Sequence, residues 1–150
     1  MIKIYFAFLS IVCCCICLPL RADVLLVNKG KPAATIYVSA TPHPGSIEEP
    51  PLQTAVSELI EYIQKMSGAV LPVVKTDDPA QVKDAGIVLG DLAVKMGAAP
   101  QKTSVSKEGF RLLTKGKVLL IGGESDDGTL FGVYKLLRNL GCDWVMPGEI

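Results

Sequence analysis

The chain has 150 residues, 49% of them hydrophobic and 20% charged, with 15 basic side chains balanced by 15 acidic ones. So apolar a composition excludes intrinsic disorder, and the length suits one domain. Zero formal charge without a basic tract argues against nucleic acid as a partner, and a single histidine argues against a dedicated zinc or haem site.

Lys3 precedes the apolar run Ile4–Leu18, broken only by Ser10, and Leu20-Arg21-Ala22 follows. A short positive region, an apolar stretch and a small residue at the exit describe a secretory signal peptide over 1–22, cut between Ala22 and Asp23. The run is shorter than the ~20 residues that span a bilayer. The expected product is therefore exported to the periplasm or beyond and keeps no membrane span. Cys13, Cys14, Cys15 and Cys17 lie in this leader, and neither Ser10-Ile11-Val12 before Cys13 nor Cys14-Cys15-Ile16 before Cys17 fits a lipoprotein pattern. The remainder keeps Cys142 alone, so its core must come from packing without an internal disulfide.

In the segment from residue 23, Val24–Val27 reads as a strand and Asn28-Lys29-Gly30-Lys31 as a polar turn. Ala34–Ser39 is a second strand, with Ile36 and Val38 on one face and Tyr37 on the other. Thr41–Pro51, rich in proline, is loop, and Pro50-Pro51 suits a first helical turn. Leu52, Ala55, Val56, Leu59, Ile63 and Met66 recur at three- and four-residue steps and predict a helix over Leu52–Ser67, stopped by Gly68. Val70–Val74 and Gly86–Gly90 have strand length, and Leu92–Met96 makes a helical turn. Gly109–Thr114 and Lys117–Gly122 form a hairpin around Lys115-Gly116. Val118-Leu119-Leu120-Ile121 shows no alternation, which predicts a strand buried on both faces. A second helix runs from Asp127 to Leu140, capped by Ser125 or Asp126 and closed by Gly141, with Leu130, Val133, Tyr134, Leu137 and Leu140 as its apolar face. Gly128 and Gly132 leave points on it where another backbone can approach closely. The elements together predict a mixed β-sheet with two main helices packed on it, on one face.

Candidate chemistry is sparse. Gly123-Glu124-Ser125-Asp126-Asp127-Gly128-Thr129 joins a strand to a helix, where phosphates bind, but it lacks the P-loop lysine and carries three carboxylates that repel a phosphate. Capping and close packing explain it better. Glu48-Glu49, Asp77-Asp78 and Asp126-Asp127 are adjacent doublets in turns or at a helix start, not a pair facing a common bond. His43 lies between prolines, with no nucleophile motif nearby. No catalytic, cofactor-binding or metal-binding residue is expected. Cys142, just past the Gly141 stop, is expected to be buried. Trp144 and Pro147, past the last α/β unit, read as a packing edge for another domain.

Several segments carry a family resemblance. Ala55-x-x-Glu58-Leu59-x-x-Tyr62-Ile63-x-Lys65-Met66-Ser67-Gly68-Ala69-x-Leu71-Pro72-Val73 resembles the start of the N-terminal domain of bacterial α-glucuronidase-like glycoside hydrolases, itself similar to the second domain of β-hexosaminidases. Ile87-Val88-Leu89-Gly90, Glu108-Gly109-Phe110, Leu119-Leu120-Ile121-Gly122-Gly123, Gly128-Thr129-Leu130-Phe131-Gly132-Val133-Tyr134 and Leu140-Gly141-Cys142-x-Trp144-x-x-Pro147-Gly148-Glu149 follow in the same order. Asp127 and Asp143 stand where the family often has arginine, which removes any arginine contact to a neighbouring domain or sugar. The resemblance implies an α/β (α+β) sandwich like the second domain of β-hexosaminidases, an accessory domain over 23–150 that precedes a (β/α)8 catalytic barrel, its partner in cis. The acid and base carboxylates belong to that barrel, which needs about 250 residues of its own. The chain by itself is then expected to be inactive, as a truncated product or an isolated accessory domain. The alternative is a free-standing secreted module that binds carbohydrate on an exposed aromatic platform. A nucleotide-binding enzyme is disfavoured by the acidic glycine loop.

Overall fold

A computed structural model of the chain describes residues 23–40 and 51–144. The leader, His43, Glu48-Glu49 and Pro147 lie outside the described residues.

The chain opens with a small antiparallel hairpin of β1 (Val27–Asn28) and β2 (Lys31–Pro32). Lys29 and Gly30 both have positive φ, 50° and 76°, which is the two-residue turn that matches strand twist. The expected strand Val24–Val27 is thus displaced: its last residue starts this hairpin, and the polar turn expected at Asn28–Lys31 is the hairpin's tip.

A five-stranded sheet has the order β4-β3-β5-β7-β6. Its strands are β3 (Thr35–Val38), β4 (Val73–Lys75), β5 (Gly86–Leu89), β6 (Phe110–Lys115) and β7 (Val118–Gly123). The first four in spatial order run parallel and β6 returns antiparallel on β7, so the sheet is mixed as predicted. The strand expected at Val70–Val74 starts later because Pro72 has no N–H to give the ladder; its carbonyl instead accepts from Ile36 N at 2.8 Å. Leu71, read as a strand residue, is buried ahead of it.

Side chains alternate across the sheet. Ile36, Val38, Ile87, Leu89 and Ile121 face the two long helices, α1 (Pro51–Ser67) and α3 (Asp126–Asn139), and meet Ala55, Leu59, Ile63, Val133 and Leu137. Tyr37, Val88 and Leu120 point the other way, onto α2 (Asp91–Ala93) and the π turn Val94–Ala98 that continues it. That segment replaces the single turn expected at Leu92–Met96, and it covers the sheet's second face. The two main helices share one face, while this shorter third layer explains why Val118–Ile121 carries no polar alternation.

Both long helices stop at glycine. Gly68 has φ 76° and its N–H reaches Gln64 O at 2.7 Å. Gly141 has φ 102°, with Gly141 N to Arg138 O and Cys142 N to Leu137 O, both 3.0 Å, the paired bonds of a Schellman stop. Two residues assigned to apolar faces are 43–47% exposed: Met66 and Leu140 sit on the last turns, where the core ends. Cys142 is half-buried rather than buried, with Sγ 3.7 Å from Met66 Sδ. No helix among the described residues is long and apolar enough to cross a membrane.

Candidate functional site

In open parallel sheets ligands bind outside the carboxyl ends of the strands, where successive connections diverge. Here that point lies between β3 and β5. Its polar groups are already used: the buried Ser39 hydroxyl accepts from Leu92 N at 3.0 Å, and Gly90 N donates to Ile121 O at 3.0 Å. A mostly apolar cavity of about 140 Å³ lies nearby, between the ends of β3 and β4 and the first turns of α1.

The glycine-rich turn into α3 is a packing joint. A Cβ on Gly123 would lie 2.3 Å from Thr129 N, and one on Gly128 2.6 Å from Gly109 O. One on Gly132 would lie 2.5 Å from Ile121 Cγ2. Backbone from the loop before β6 fills the space a phosphate would need. Ser125 is the cap: its Oγ accepts from Gly128 N at 3.2 Å and donates to Lys107 O at 2.7 Å. Glu124, read from sequence only as a repelling carboxylate, turns back and clasps that loop. It accepts from Ser104 Oγ at 2.6 Å, Ser104 N at 3.0 Å and Gly109 N at 3.0 Å. The Ser104 hydroxyl above all, then the Ser104 and Gly109 amides, hold its carboxyl below the usual range. Nothing in the sequence marks this bond, which links residues 20 positions apart.

The doublets Asp77-Asp78 and Asp126-Asp127 are also structural. Asp77 Oδ1 accepts from Ala40 N at 3.2 Å, and Asp78 Oδ1 caps a 3₁₀ turn through Ala80 N at 2.9 Å. Asp126 and Asp127 open α3, where the helix dipole favours them. Among the described residues no three His, Cys, Asp or Glu side chains gather in a way that could hold a metal ion.

Trp144 forms the most built surface feature. Its ring stands edge-on to Tyr62 of α1, centroids 5.4 Å apart, and to Tyr134 of α3, 5.3 Å apart. Its Nε1 donates to Tyr62 Oη at 3.1 Å, and Lys65, paired with Glu61, lies 5.0 Å over the Tyr62 ring. Burial, then the negative Glu58, pushes the Tyr134 hydroxyl pKa up. Two edge contacts and a hydrogen bond fix the indole, yet it stays 37% exposed. Beside it a cleft of about 230 Å³ is lined by Phe131, Tyr134, Lys135, Arg138 and Trp144. The sequence singled out Trp144; the two tyrosines that seat it lie 72 residues apart and read only as parts of the family pattern, with Tyr134 also on the apolar face of its helix.

The family model described as the glycosyl hydrolase family 67 N-terminus matches residues 22–136, well over half the chain. Among solved structures, a family GH115 4-O-methyl-α-glucuronidase with specificity for decorated arabinogalactans is similar over 78% of this chain, at 21% identity and a TM-score of 0.55. The chain spans 14% of that structure's length, and at this identity the likeness is one of fold. No curated protein sequence matches. With its mixed sheet, two glycine-stopped helices and joint in place of a phosphate loop, the chain belongs to the family of glycosyl hydrolase family 67 N-terminal domains.

Proposed function

We propose that this chain is the exported, non-catalytic N-terminal domain of an α-glucuronidase-like glycoside hydrolase, seated in the complete enzyme against a (β/α)8 barrel that carries the acid and base carboxylates. The observation that carries this reading is the family match over 22–136, joined to acids that cap turns and clasp loops instead of facing one another. The much longer GH115 neighbour supports a second domain in cis. Trp144, seated on Tyr62 and Tyr134 yet exposed, is the seam residue; Pro147, expected with it from the sequence, lies outside the described residues. Residues 1–22 direct export and are then removed.

The test is direct. The purified chain, incubated with xylo-oligosaccharides carrying 4-O-methylglucuronate, releases no uronic acid above the uncatalysed rate. Release that disappears on altering one of the chain's own carboxylates would overturn the reading. N-terminal sequencing of the exported protein is expected to begin at Asp23.

A further inference from the structure

The chain is neutral as a whole, but its charge is unevenly spread. Residues 95–117 hold six basic side chains and one acid, Glu108. They belong to the π turn, the loop after it and β6, the strand that ends the sheet on one side. Where the loop meets the start of β6 lies a cleft of about 310 Å³, lined by Pro100, Gln101, Lys102, Gly109, Phe110 and Arg111. It shares no residue with the Trp144 cleft.

Its groups suit a ring and an anion. Phe110 rests against Gly132, where an added Cβ would lie 3.5 Å from the Phe110 Cβ and Cδ2, and the residue stays 38% exposed. Arg111 Nη1 lies 3.4 Å from both Gly97 O and Ala99 O, so the π turn orients the guanidinium. Its Nε and Nη2 keep no partner among the described residues, and Lys102 has no ion pair there. Glu108 does not line the cleft, and the Glu124 carboxylate that reaches Gly109 N is spent on the Ser104 clasp. Two cations without a counter-charge favour an anion, and a guanidinium already oriented matches a carboxylate with little further ordering. The phenyl ring beside them favours an anion carried on a ring over a fully hydrated inorganic one.

We propose that this cleft binds a small ring compound bearing a carboxylate, with the carboxylate on Arg111 and Lys102, the ring against Phe110 and the Gln101 amide as a polar contact. Sugar acids and aromatic acids share this chemistry. The inference goes beyond the function proposed above and requires no second domain, so it stands or falls separately from that reading. The cleft is at the small end of ligand sites and open to solvent, so the expected dissociation constant is on the order of 1 mM.

The purified chain is titrated at low salt with galacturonate, benzoate, glucose and sulfate while its amide shifts are followed. At least one of the two carboxylates is expected to move the Gln101, Lys102, Phe110 and Arg111 amides, with glucose and sulfate bound at least about tenfold more weakly. The tighter carboxylate tells a sugar acid from an aromatic acid. Lys102→Gln, at an exposed side chain that bonds nothing in the fold, is expected to weaken binding about threefold to tenfold. Arg111→Lys, which keeps the charge and loses the fork, is expected to weaken it about tenfold. Phe110→Ala is expected to weaken the ring carboxylates at least about fivefold and to leave acetate unchanged. Circular dichroism checks that each variant keeps its helix content. Glucose or sulfate bound as tightly as either carboxylate, full affinity in Lys102→Gln, or shifts centred outside the cleft would overturn the proposal.

Discussion

Replacing Gly128 with alanine sets two effects of known sign against each other. In an exposed helix interior the change is stabilising by about 1 kcal/mol, because glycine gives up more backbone freedom on folding. At Gly128 the new methyl would lie 2.6 Å from Gly109 O, so that carbonyl would have to retreat about 0.8 Å to reach the 3.4 Å of ordinary contact. It is held where it is. Glu124 N donates to Gly109 O at 2.8 Å, Gly109 N donates to the Glu124 carboxylate at 3.0 Å, and Lys107 beside it is pinned through its carbonyl by Ser125 Oγ. Overpacking against a fixed neighbour costs about 1–3 kcal/mol, and breaking one clasp bond adds about 1. The propensity gain offsets part of that, leaving a net loss of about 1–3 kcal/mol. For a domain of this size the melting temperature falls by roughly 3–12 °C. Urea unfolding followed by far-UV circular dichroism should show a lower midpoint with an unchanged m-value. Should Gly128→Ala raise the midpoint instead, the joint is loose and the packing explanation of the glycine loop is wrong.

Two further outcomes follow from the same geometry. The Glu124 carboxyl is held below its ordinary 4.5 in the folded chain, so its ionised form stabilises the fold above that value, and the gain is lost as pH falls through the folded-state pKa. The melting-temperature gap between the parent and Glu124→Gln is therefore expected to be full at pH 7 and to close below pH 4.5; a gap independent of pH contradicts the clasp. Trp144→Ala removes two edge-on ring contacts and the bond to Tyr62 Oη. A loss of about 1–2 kcal/mol by urea titration is expected for so exposed a ring, and one under about 0.3 would mean that the indole is not seated by the tyrosines.

Periodicity made the buried architecture legible. The apolar run Gly86–Gly90 announced a strand, Val118-Leu119-Leu120-Ile121 announced one covered on both faces, and glycines at 68 and 141 announced the helix stops. Tyr37 reads on the face opposite Ile36 and Val38, and the structure puts that face in a second core cluster. The misplaced elements have local causes. Val24–Val27 is apolar enough for a strand, but the positive φ values of Lys29 and Gly30 set a tight turn whose pairing starts only at Val27. Pro72 delays β4, and the π turn after α2 has no hydrophobic period to betray it. The surface chemistry was legible only in part. Trp144 stood out by its rarity, while Glu124 and Tyr62 owe their roles to partners 20 and 82 positions away, a separation that no spacing rule spans.

The strand order also bears on how the chain matures. β3 lies inside the sheet, yet it leaves the ribosome before either neighbour exists: Ile36 pairs with Val73 on one edge and with Ile87 on the other. A nascent chain shorter than about 90 residues thus exposes Ile36, Tyr37 and Val38 with an incomplete ladder, while β6 and β7 can zip within microseconds of emerging. That interval is the natural window for a holdase chaperone, and for misassembly when none is at hand.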